Sequence, residues 1–192
     1  NPSQSLINKI NLQVGEMLLL SGNFKEAEKY YKPVGNQNIE KNTVQYLKSL
    51  LFQQKIDKSI SFLDSVITEL NPNHILFNDL LEIHDLLISN YVDGTKDDKL
   101  ALKLFFNAES LIYQNKSSEA LSILEKIFSQ HPDALIRPLS SLRLAILLTE
   151  FKKFDKASKI ALSIENSYLK DQGLALAGEI NEKFKGDNKS AI

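Results

Sequence analysis

Histidines, carboxylates and hydroxyls are the groups from which a metal centre or a catalytic site could be built. There are three histidines, His74, His84 and His131. A metal centre needs three or four ligands converging on one point. His74 opens a helix, His84 lies on another helix face and His131 precedes Pro132 in a turn, so their spacing gives no ligand set. Asp93-Gly94-Thr95-Lys96-Asp97-Asp98 has the start of a calcium loop. An EF-hand loop requires glycine at its sixth position and a bidentate glutamate at its twelfth, where this chain has Asp98 and Leu104. The segment reads better as a solvated loop whose Asp97 or Asp98 caps the next helix. Glu26 and Glu28 stand beside lysines and read as a solvated helix face rather than an acid–base pair. Glycine-rich phosphate loops, the G-x-S-x-G nucleophile elbow and the H-E-x-x-H pair are all missing from the sequence. These readings predict no enzyme, no metal and no cofactor.

Composition narrows the function classes further. The 192 residues include no cysteine, which excludes disulfides, thiolate metal sites and a cysteine nucleophile. Lys plus Arg is 23 and Asp plus Glu is 24, a net charge of −1. Only Arg137 and Arg143 are arginine, the residue suited to bidentate phosphate or guanine recognition. Balanced charge and scarce arginine predict no nucleic-acid partner. No apolar run approaches the roughly 20 residues of a membrane span.

The elements follow from periodicity. Apolar residues recur three or four apart in Phe24, Ala27, Tyr31, Val34; in Ile56, Ile60, Leu63, Val66, Leu70; in Ala120, Leu124, Ile127; and in Phe154, Ala157, Ala161, Ile164. Each set draws one stripe on one helix face. Breaks fall at 21–23, 33–37, 71–73, 93–98, 130–132 and 185–187. Ten helices are predicted, over 4–20, 24–35, 39–53, 56–70, 75–91, 98–114, 117–130, 137–151, 154–166 and 169–185. The aromatic pairs Phe105-Phe106 and Tyr30-Tyr31 place adjacent side chains about 100° apart. Phe105 and Tyr31 are then expected in the core, with Phe106 and Tyr30 more exposed.

The segments also superpose on one another. Gly15, Leu47, Ala108 and Ala145 occupy one equivalent position, and Ala27, Ser59, Ala120, Ala157 and Ala191 another. The small side chains at Gly15, Ala108 and Ala145, and at Ala27, Ala120 and Ala157, let two helices approach closely, whereas leucine would force them apart. Successive units carry "GNFKEA", "KIDKS", "KSSEA" and "KFDKA" at the turn. This pattern resembles the tetratricopeptide repeat, with its period near 34 residues and small residues at fixed places. The segment from Ala101 to Ile127 is also similar to long bacterial tetratricopeptide proteins, many of them exported.

The resemblance implies an all-α fold, an α-solenoid of stacked antiparallel helical hairpins forming one array over 1–192. Two full repeats in the 61-residue gap between Ser59 and Ala120 would need three helices between residues 70 and 117, and periodicity supplies two. An irregularity is therefore expected near 75–98, where the helix of Ile83, Leu87 and Tyr91 has no second helix. Residues 189–192 read as the first turn of a helix cut at 192, so that the chain is expected to be a fragment of a longer one. An apolar face near 174–184 would then be open to self-association. The envelope is favoured over the cytoplasm on the resemblance alone.

In function, the resemblance implies a protein-interaction scaffold that holds a peptide or helical segment of a partner in a concave groove lined by first helices. By register, those groove positions are Gln13, Glu16, Gln45, Lys48, Phe106, Glu109 and Arg143, with Ile146 beside the last. The lysine and asparagine set that clamps a C-terminal carboxylate in some relatives is missing. The alternative is a purely architectural segment of a larger multi-domain or envelope protein whose activity lies elsewhere.

Overall fold

A computed structural model of the chain describes residues 3–31, 39–165 and 167–185. Within them the fold is all-helical, with ten α-helices and no strand. They are α1 (Gln4–Leu20), α2 (Phe24–Tyr31), α3 (Ile39–Phe52), α4 (Ile56–Glu69), α5 (Phe77–Leu87), α6 (Lys96–Tyr113), α7 (Ser117–Gln130), α8 (Arg137–Glu150), α9 (Phe154–Leu162) and α10 (Lys170–Ile180). Single π-helical turns extend α5 over Ile88–Val92 and α10 over Asn181–Lys185. The break expected at 33–37, the stripe position Val34, the break at Gly186-Asp187 and the helix start near Ala191 lie outside the described residues.

Four of the helix–helix links share one backbone design. Gly22, Gln54, Asn115 and Lys152 have φ of 81°, 58°, 60° and 59°. Each donates its N–H to the carbonyl three residues back, and the following residue donates to the carbonyl five back, at 2.8–3.0 Å throughout. This is the Schellman closure of a helix C-terminus. In three of the links the residue after the left-handed one at once accepts the first bond of the next helix: Asn23 from Ala27, Lys55 from Ser59 and Lys153 from Ala157. A helix thus reverses into its partner within a three-residue link. The left-handed residues stand 32, 61 and 37 positions apart, the same intervals as the small residues five positions later. The backbone therefore carries the repeat independently of side-chain identity.

Other boundaries shift for reasons of side-chain capping. α6 begins earlier than the expected 98, because Thr95 and Asp98 form a reciprocal capping box. The Thr95 N–H and hydroxyl donate to the Asp98 carboxylate at 2.9 and 2.7 Å, and the Asp98 N–H donates to the Thr95 hydroxyl at 3.1 Å. The cap is thus Thr95, not Asp97 or Asp98. α5 begins at Phe77 rather than 75: the His74 ring accepts the Leu76 N–H at 3.1 Å and holds the preceding turn. α9 stops at Leu162 rather than 166, where the Ser163 hydroxyl donates to the Ile160 carbonyl at 2.7 Å.

The chain divides into two compact units. The first comprises Asn1–Gly94 and Glu109–Lys116, the second Thr95–Ala108 and Ser117–Ile192. The boundary at Gly94 falls inside the segment where periodicity ran short of one helix. In the first unit α1 packs on α2, α2 on α3, α3 on α4 and α4 on α5. Its core joins Leu19, Ala27, Tyr31, Tyr46 and Leu50, with Leu12, Leu18, Phe24, Phe52, Phe62 and Tyr113 packed against them. Phe24 meets Phe52 edge-on at 5.3 Å, so the first turn of α2 is closed by an aromatic contact. In the second unit α7, α8, α9 and α10 pack in sequence order. Ala120, Leu124, Ala145, Leu148, Ala157 and Ala161 are all buried there.

Close approach explains one glycine. A Cβ on Gly15 would lie 2.5 Å from the Tyr31 ring, so the largest side chain of α2 fits only because α1 has none at that point. The equivalent positions in the next hairpins are Leu47 with Leu63, Ala108 with Leu124 and Ala145 with Ala161, all buried.

Candidate functional site

The residues expected along the first helices separate into two groups. Glu16 on α1 and Gln45 and Lys48 on α3 meet in the first unit. The Gln45 side-chain amide donates to the Glu16 carboxylate at 3.3 Å. Two phenols reach the same carboxylate: Tyr31 of α2 donates at 3.5 Å, and Tyr113 of the last turn of α6 donates to its other oxygen. The Lys48 ammonium stands over the Tyr113 ring, 5.0 Å from its centroid. Tyr31 also donates to the Leu12 carbonyl at 3.2 Å, and its hydroxyl is thereby tied to α1 twice.

The electrostatics follow from this packing. Burial pushes the hydroxyls of Tyr31 and Tyr113 above the ordinary phenol value, and the adjacent Glu16 charge pushes them further. Both stay protonated as donors at neutral pH. One carboxylate is framed by two phenols and an amide, with an ammonium nearby. The set contains no pairing of a nucleophile with a base.

The other predicted residues are placed differently. Gln13 lies exposed on the outer side of α1, among apolar side chains. Phe106 was expected to be the exposed member of its pair, and it is buried at 7%, edge-on to Phe105 with centroids 5.8 Å apart. Since the two side chains point about 100° apart, α6 must be enclosed over more than that arc here. Phe106 therefore belongs to the core of the second unit. Glu109 is half-buried within the first unit, and Arg143 and Ile146 are half-buried in the second. Tyr30 is exposed and Tyr31 buried, as their 100° offset predicts.

Three polar groups play parts that sequence spacing did not assign. Glu28 is a half-buried hub on α2: Gln53 donates to it at 2.9 Å, Lys55 at 2.7 Å, and Lys58 also contacts it. Burial alone would raise its carboxyl, but the hydrogen bonds from Lys55, Lys58 and Gln53 outweigh that and hold it down at about 2. Asp98 is buried; besides Thr95, it accepts the Leu135 N–H at 2.8 Å. Burial pushes Asp98 up while those backbone and hydroxyl donors pull it below the usual carboxylate range. Its oxygens are occupied by protein donors, which accounts for the calcium-like segment. His131 is buried with Nδ1 2.7 Å from the Asp97 carboxylate, so it orders the turn before α8 rather than standing at the surface. Among the described residues no three His, Asp or Glu side chains converge as metal ligands, and no helix is long and apolar enough to cross a membrane.

No family model, curated protein or solved structure matches the chain. The reading of its function accordingly rests on its own repeat and on the geometry above.

Proposed function

We propose that the chain is a non-catalytic protein-interaction scaffold of tetratricopeptide-like hairpins, and that a peptide or helical segment of a partner lies along its first helices. One observation carries this reading. Glu16 and Gln45, contributed by the first helices of two successive hairpins, join in one hydrogen-bonded set beside Lys48. In such repeats the second helices are covered by the next unit, which leaves first-helix side chains to meet a ligand. The four in-register turns support the same family resemblance.

Carboxylate, amide and ammonium together suit a mixed, extended polypeptide better than a polyanion. Binding should accordingly weaken only slightly with salt, in contrast to the steep dependence of phosphate-backbone recognition. The test is a partner captured by crosslinking and then measured with purified components. Lys48→Glu combined with Arg143→Glu should lower affinity about tenfold or more while helical circular dichroism is unchanged. If that variant binds as the wild type does, and Lys126→Glu or Lys159→Glu on the second helices abolishes binding, the ligand face is the opposite one.

A further inference from the structure

Two phenols meet at the Glu16 carboxylate, and they are held differently. Tyr31 is 1% exposed, fills the space beside Gly15 and is tied to the Leu12 carbonyl as well, so it is a fixed part of the core. Tyr113 is half-buried and is the last residue of α6. Its hydroxyl donates to Glu16, and the Gln45 amide donates to that hydroxyl. The Lys48 ammonium stands 5.0 Å from its ring centroid, and the Phe52 ring lies 5.6 Å away, tilted by 57°. Glu16, Gln45 and Lys48, the groups assigned above to a partner, are thus all engaged by one side chain of the chain itself.

Register makes this ring an occupant of the face rather than a requirement of the fold. Tyr113 stands two residues before the left-handed Asn115. The same place at the end of α8, two before the left-handed Lys152, is held by Glu150, which is exposed. Closure of the helix end needs no aromatic there: its bonds run from the N–H groups of Asn115 and Lys116 to the Ile112 and Leu111 carbonyls. Helix ends are also the parts of a fold that open at least cost.

What the ring satisfies defines what can replace it. A carboxylate that accepts a hydroxyl, beside an ammonium over a ring face, selects a neutral phenol. Phenylalanine has no hydroxyl for Glu16, and a phosphorylated tyrosine would set like charge against it. The internal tyrosine also leaves the face one donor short. Gln45 Oε1 is buried and meets no donor among the described residues. Tyr113 has one hydrogen to give, and Glu16 takes it. An extended segment brings main-chain N–H groups on either side of its tyrosine, whereas those near the end of α6 are spent within the helix.

We infer that Glu16, Gln45, Lys48 and Phe52 form a tyrosine-accepting seat that the chain's own Tyr113 keeps closed, and that a partner segment binds by placing a tyrosine there in its stead. This rests on the scaffold reading above and names the side chain that the partner supplies. The closed fraction sets the affinity: with Tyr113 seated about nine times in ten, binding is about tenfold weaker than to an open seat.

The test uses peptides selected from a random display library on the purified Tyr113→Ala protein. Selected peptides should share a tyrosine. A synthetic copy should bind Tyr113→Ala about tenfold more tightly than the wild type, with Tyr113→Phe in between. Replacing the peptide's tyrosine by phenylalanine should weaken it about tenfold. Tyr113→Phe keeps the ring and gives up its hold on Glu16, and it becomes the selection target if Tyr113→Ala loses helical circular dichroism. Lys48→Glu added to the selection target should abolish binding with helical content unchanged. Peptides that need Lys48 but carry no tyrosine, or that bind the wild type and both variants alike, would overturn the seat and leave the first-helix site standing. Peptides indifferent to Lys48→Glu, or a library that yields no binder to either variant, would overturn both.

Discussion

At the scale of single residues, buried polar groups and missing side chains dominate. Glu28 has its carboxyl depressed from an ordinary 4.5 to about 2. A depressed acid stabilises the fold above its unfolded value and loses that contribution as pH falls through the folded one. Thermal stability at low salt should therefore drop between pH 4.5 and 2, by on the order of 2 kcal/mol once the exposure of its lysine partners is discounted. Glu28→Gln should be less stable at neutral pH and lack this part of the acid transition; melting curves of both proteins across that range check it. Gly15 gives a second prediction. Gly15→Ala should cost about 1–3 kcal/mol by pressing on the Tyr31 ring. Adding Tyr31→Leu recreates the alanine–leucine combination found at Ala108 and Leu124. A double-mutant cycle in urea should show favourable coupling of about 1 kcal/mol between the two changes.

At the scale of elements, turns and caps set where helices end. Gly22 and Lys152 occupy the same left-handed position in two hairpins, with φ of 81° and 59°. The substitutions should act in opposite directions. Lys152→Gly should stabilise by about 0.5 kcal/mol, since a left-handed conformation costs an L-residue roughly 1–2 kcal/mol and glycine little. Gly22→Ala should destabilise by about 1 kcal/mol for the same reason. Equal effects of one sign in denaturant titrations would contradict the shared turn. Asp98→Ala removes the carboxylate half of the α6 capping box and the acceptor of the Leu135 N–H, so a loss of about 2 kcal/mol is expected in the same measurement. All ten helices were legible as apolar stripes, because core burial imposes the 3.6-residue period directly. The shifted ends of α5, α6 and α9 were not, since each is decided by a hydrogen bond that a particular side chain accepts or donates: His74 accepts, and Thr95 and Ser163 donate.

At the scale of the whole chain, the repeat is the organising fact. Ala120 and Ala157, fully buried, hold equivalent positions 37 residues apart. Ala120→Leu and Ala157→Leu should each cost about 1–3 kcal/mol by forcing packed helices apart, whereas Lys126→Leu on the exposed side should be nearly neutral. A thermal series in which all three behave alike would remove the register. That register also made Glu16, Gln45 and Lys48 legible as neighbours. Tyr113 was not, because it stands 97 residues from Glu16 and no local spacing links them. Phe106 was misplaced because a spacing of 100° tells which way a side chain points and not how far round its helix is covered. The long link between Glu16 and Tyr113 has a consequence during synthesis. Hairpins closed by three-residue links can form as they leave the ribosome. The Glu16 carboxylate, however, must wait for 97 further residues before its second phenol exists. At about 5–20 residues per second, that interval is roughly 5–20 s. During it the nascent α1 carries an unfinished inner face, and is at its most exposed to chaperones and to neighbouring nascent chains.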